Sequence, residues 1–164
     1  VLAIGFRQEK DAEQVKEKLK GEGIESHLYP ITSAGADMEI TATEANVNAV
    51  RSAYEMWEEK MDALEQMIIE LDSDTIRPAD AYGKIGEVKT TMAAKREELQ
   101  ALNAKQNNNV ILSGLVSLYD SGNQSLDGIL AQNSSDKVAI SSKIKYTGIE
   151  MLMRYKEYME QITK

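Results

Sequence analysis

From Val47 onward the apolar residues step by three and four without a miss: Val47, Val50, Tyr54, Trp57, Met61, Leu64, Ile68 and Leu71. That period keeps one face of a helix apolar over more than three heptads, and it cannot serve a strand, whose faces alternate every second residue. A helix of this kind needs partners, because its stability comes from burying the stripe. The rest of the chain supplies them. After Pro78 a second helix carries Ile85, Val88, Met92, Leu99 and Leu102, with Lys95 as the polar intruder in the row. A third, from about Val110, carries Ile111, Leu115, Leu118, Leu126 and Ile129, and its polar middle, residues 120–125, predicts a break. The last has Ile144, Gly148, Met151, Tyr155, Tyr158 and Ile162.

The punctuation agrees with this division. Thr43 is placed to cap the first of these helices, the run from Asp72 to Thr75 to stop it, and Asn133 to Asp136 to cap the last. Four amphipathic helices on short connections predict an antiparallel four-helix bundle over residues 43–164. Gly114, Gly122, Gly128 and Gly148 fall on or beside the stripes, where a missing side chain lets helices approach closely.

Residues 1–42 have a different pattern. A short apolar run, residues 1–6, reads as a buried strand; residues 7–21 hold Ala12, Val15 and Leu19 at helical spacing, and Gly21 and Gly23 end that helix. Residues 24–29 alternate, with Ile24, Ser26 and Leu28 on one face and Glu25, His27 and Tyr29 on the other, until Pro30 interrupts. Residues 37–43 alternate again. The expected fold class is therefore α+β: a small N-terminal β-α-β-β unit, residues 1–42, leading into the bundle, with the helix over residues 43–71 shared by both.

Composition narrows the chemistry. The 164 residues contain no cysteine and a single histidine, His27, which excludes disulfides, thiolate metal sites and two-histidine motifs. His27 has no nucleophile elbow near it, and Asp72 and Asp74 lack the glycine and closing glutamate of a calcium loop. Glu55, Glu58, Glu59, Asp62 and Glu65 belong to the polar faces of a helix, with no apolar pocket to raise a carboxyl for acid–base work. There is no Gly-rich phosphate loop. Two Asn-x-Ser triplets, at Asn123 and Asn133, fall in segments read as loops. The expectation is a protein that is not an enzyme and takes no cofactor and no metal. The net charge of −8 argues against nucleic acid as a partner, and all of it belongs to residues 1–71, which hold 15 acids and 7 bases. No run of about 18 apolar residues is present to span a bilayer.

Within the first segment, Ile4-Gly5-Phe6, Ala12, Val15, Leu19-Lys20 and Gly23-Ile24 together resemble the SPOR domain, the bacterial sporulation-related repeat. The chain departs from that pattern at Ala3, where the family has glutamine, and over residues 38–43, which lack the second glycine-containing copy. The resemblance implies binding of peptidoglycan glycan strands on a sheet face, where His27, Tyr29, Glu39 and Thr41 would stand outward and Tyr29 could stack on a sugar ring. It further implies a non-catalytic cell-envelope module for septal or sporulation morphogenesis. That module would bind peptidoglycan or a septal protein on the extracytoplasmic face of the membrane of a Gram-positive spore-former, behind an upstream membrane anchor. The alternative expectation is an interaction scaffold that self-associates through its heptad helices without glycan binding.

Overall fold

The computed structural model describes residues 4–6, 8–32, 42–106 and 109–163. Within them the chain forms five helices: α1 (Glu9–Gly21), α2 (Glu44–Asp72), α3 (Pro78–Asn103), α4 (Val110–Leu130) and α5 (Lys137–Ile162). Each end has a local cause. In α1, acids in the first turn and lysines in the last suit the helix dipole. Its C-terminus closes with Ile24 N–H on the Leu19 carbonyl and Gly23 N–H on the Lys20 carbonyl, Gly23 taking a φ of 78°. The same closure ends α2, where Thr75 N–H reaches the Glu70 carbonyl and Asp74 takes a φ of 58°. Thr43 Oγ1 accepts from the Asn46 N–H, and Pro78 opens α3, where the Asp80 carboxylate accepts from the Arg77 N–H and guanidinium. Asn109 caps α4 and Asp136 caps α5 through their carboxamide and carboxylate oxygens.

Helices α2 to α5 form an antiparallel up-down-up-down bundle. Ser52 meets Lys95 near one end of the α2–α3 pair and Glu70 meets Lys84 near the other. Arg96 forks onto Asp120 at 2.8 and 3.2 Å, and Tyr54 and Asp72 of α2 reach Tyr158 and Ser141 of α5. The heptad residues form the core: Trp57, Leu64, Leu71, Ile85, Met92, Leu99, Leu115, Leu126, Ile129, Ile144 and Met151 are all buried. Tyr119 joins them, edge-on to Trp57 at 5.5 Å, with its hydroxyl donating to the Ala53 carbonyl at 2.7 Å.

The β-α-β-β unit is not formed. No strand occurs among the described residues, which form helices and irregular connections. Residues 4–6 lie against the bundle without a ladder partner, residues 24–32 are irregular, and most of the third expected strand, residues 37–41, falls outside the described residues. The physical reason is that a short apolar run can be buried by helices as well as by a sheet, and an isolated pair of strands is marginal in water. The predicted break in α4 is also absent. Gly122 is buried there against Met92 and Trp57, and Asp120 holds Arg96, so packing carries the helix through its polar run. Asn123 consequently lies in a helix, not in a loop.

Candidate functional site

The residues singled out as a glycan face divide into two groups. His27 and Tyr29 point into solvent, with the His27 side chain 83% exposed and Tyr29 77% exposed. Glu39 and Thr41 lie outside the described residues. The alternation expected for residues 24–29 holds only in part, without a strand: Ser26 and Leu28 are half-buried and Glu25, His27 and Tyr29 exposed, but Ile24 is exposed as well. His27 Nε2 stands 3.8 Å from Glu25 Oε1, an exposed contact with no nucleophile beside it. With no sheet under them, these side chains form no flat platform.

The arm that carries them begins with α1, which buries none of its residues. Ala12, Val15 and Leu19 are only half-buried, so the apolar stripe of this helix is not spent on the core. Beyond its cap the chain exposes Ile24, Tyr29 and Ile31 within eight positions. The alternation predicts Ile24 on the inward face and places Ile31 on neither face. Gly23 takes a left-handed conformation just before Ile24, and Pro30, just before Ile31, has no N–H to offer a ladder. At the other end of the arm, Gly5 sits in a groove between α2 and α5 with Met61, Leu64, Ile68, Gly148 and Leu152.

Charged and phenolic groups in the bundle have structural partners. Lys95, the polar residue in the α3 stripe, is buried and donates to Ser52 Oγ at 2.8 Å and Glu98 Oε2 at 2.6 Å. Burial alone would raise the Asp72 carboxyl, but hydrogen bonds from Lys145 and Ser141, with the charge of Lys18, hold it below the usual carboxylate range. Burial pushes the Tyr158 and Tyr54 hydroxyls up; the two share a hydrogen bond at 2.7 Å, and Tyr155 packs edge-on to Tyr54. Among the described residues no group of three or more His, Asp or Glu side chains is arranged to hold a metal ion. A wider groove between α2 and α3, floored by Ala63, Met67 and Val88 and edged by Lys60 and Lys84, opens to solvent.

Comparison with protein-family models, with curated proteins and with solved structures finds no match for this chain. The likeness to the SPOR pattern thus stands on residues 4–24 alone. Among the described residues no helix is long and apolar enough to cross a membrane. The heptad residues offered for self-association, Trp57 and Leu64, are 2% and 1% exposed inside one chain.

Proposed function

We propose that the chain is a non-catalytic interaction module of the cell envelope: a rigid helix bundle that holds out an N-terminal arm to a protein partner. The observation that supports this reading is an arm ordered at a cost the core does not repay. Fixing each residue costs roughly 1–2 kcal/mol of backbone entropy, yet no residue of α1 is fully buried and its apolar stripe is only half-buried. The apolar residues that follow it, Ile24, Tyr29 and Ile31, are left to solvent together, as in a docking element awaiting its counterpart. The net negative charge of residues 1–71 favours a partner with basic groups around its apolar contact.

Glycan binding at a septum is a second reading, supported by the exposed ring of Tyr29 and by the resemblance of residues 4–24. One experiment separates the two. The protein and its Ile24→Ser/Tyr29→Ser/Ile31→Ser variant are incubated with purified sacculi and, separately, cross-linked in solubilised envelope. Protein docking is expected to give a cross-linked partner that the variant loses, with no enrichment on sacculi. Enrichment on sacculi that Tyr29→Ala abolishes would establish the glycan reading instead. A variant that keeps every interaction of the parent would remove the arm from both.

A further inference from the structure

Helix α5 has two apolar rows, and the core uses one. Ile140, Ile144, Thr147 and Met151 are buried. On the opposite side of the helix Ala139, Ser142, Tyr146, Ile149 and Met153 step by three and four. Val138, beside this outer row, is 66% exposed, Tyr146 55% and Met153 37%. Ser142 is exposed too, whereas Ala139 and Ile149 are half-buried, Ile149 next to Gly5. The row runs for about four turns without a charged residue in it. The outward side of α2 is the contrast, since Glu55, Glu58, Glu59 and Asp62 are all exposed there. An uncharged row with large apolar side chains in water is the pattern of a face that meets another helix.

Charge and side-chain size both argue for a second copy of this chain as the partner. The net charge of −8 belongs to residues 1–71, and residues 72–164 carry as many acids as bases. Two copies therefore meet through α5 without the like-charge cost of meeting through α2. Laid antiparallel, with the two-fold axis between positions 147 and 148, the outer row complements itself. Ser142 of each copy faces Met153 of the other, and Tyr146 faces Ile149, so small side chains meet large ones. Lys143 of each copy stands beside Glu150 of the other, and the symmetry makes this pair twice. Within one chain these two charges flank Tyr146: Lys143 Nζ lies 5.3 Å from the ring centroid, and the hydroxyl donates to Glu150. A parallel pair has no such fit, because it sets Met153 on Met153 and Ser142 on Ser142.

We propose that the outer row of α5 is a self-docking surface, through which two copies of the chain pair antiparallel over Ala139, Ser142, Tyr146, Ile149 and Met153. This goes beyond the docking of the arm, since it uses a different helix and none of Ile24, Tyr29 and Ile31. It also gives the chain a route to self-association that leaves the buried heptad stripes untouched.

The absence of cysteine makes a clean test, because any thiol introduced is unique. Ser142→Cys and Met153→Cys chains are mixed in equal amounts and oxidised over a series of protein concentrations. The 142-to-153 dimer is expected to exceed either homodimer at least tenfold and to rise with concentration. Adding Tyr146→Glu to both chains is expected to remove it with helical circular dichroism unchanged, since Tyr146 is exposed. Sedimentation equilibrium of the cysteine-free chain supplies the second measurement. A monomer–dimer equilibrium is expected, weakened severalfold by Lys143→Glu and restored by Lys143→Glu/Glu150→Lys. Dominant 142-to-142 and 153-to-153 disulfides would mean a parallel pair and overturn the proposal. So would a monomer at every concentration up to about 1 mM, a dimer that survives Tyr146→Glu, or a charge swap that fails to restore what Lys143→Glu removes.

Discussion

Gly114 faces the ring of Tyr158 so closely that a Cβ would stand 2.5 Å from Cε2 and 2.8 Å from Cδ2. That ring has little room to turn, because its hydroxyl is bonded to Tyr54 and the Tyr54 ring lies 6.1 Å away. Alanine at a helical glycine ordinarily gains up to about 1 kcal/mol, but overpacking a well-filled contact costs about 1–3 kcal/mol. Gly114→Ala is accordingly expected to lower Tm by several degrees, at about 2–4 °C per kcal/mol for a chain of this size. Gly128→Ala, which meets only the Lys143 side chain at 3.8 Å, is expected to raise it. Thermal unfolding followed by circular dichroism compares the two, and equal shifts would refute the close-contact account. All four stripe glycines look alike in the sequence. Gly114 and Gly122 are the two against which a neighbouring helix closes tightly, whereas a Cβ on Gly148 meets nothing within 4 Å.

The helices themselves follow from local relations. The three-four step, the Thr43, Asn109 and Asp136 caps and the turn at Asp74 each involve residues a few positions apart, so a single sequence displays them. The α2 stripe is spent inside one chain, which separates two variants on the same helix. Leu64→Glu buries a charge without a partner, at a cost of several kcal/mol, and is expected to abolish the cooperative thermal transition. Ile69→Glu adds its charge at an exposed position of α2 and is expected to change stability by about 0.5 kcal/mol or less. A folded Leu64→Glu monomer would show that the stripe belongs to an interface between chains. The outward positions expected over residues 24–29 were less legible. Alternation over residues 24–29 turned His27 and Tyr29 outward, as they stand, and Ile24 inward, where it is instead exposed; alternation does not record whether a neighbouring strand exists.

At the scale of the molecule, the bundle keeps three tyrosines neutral. Burial pushes the hydroxyls of Tyr54, Tyr119 and Tyr158 up, and the carboxylates of Glu98 and Glu59 add to the effect on Tyr119. An unfolded tyrosine ionises near about pH 10. The folded state therefore keeps this contribution in full below that pH and loses it as pH rises beyond, because only the unfolded chain readily gives up the protons. Phenolate absorbance at 295 nm is expected to rise in two phases, the second coinciding with the loss of helical ellipticity. Complete ionisation of all seven tyrosines with helicity intact would contradict a closed core.

The sequence by itself determined the stripes of the four long helices and, apart from the break expected inside α4, their extent, because a repeated period over many turns admits one local structure. Tertiary structure decided the rest. It carried α4 through its polar run by setting Gly122 against Trp57 and Met92, and it placed Lys95 inside on Ser52 and Glu98. It also laid residues 4–6, the described part of the strand expected over residues 1–6, against the bundle, with Gly5 in the α2/α5 groove. A short apolar run has no period of its own, so its conformation depends on the surface that buries it.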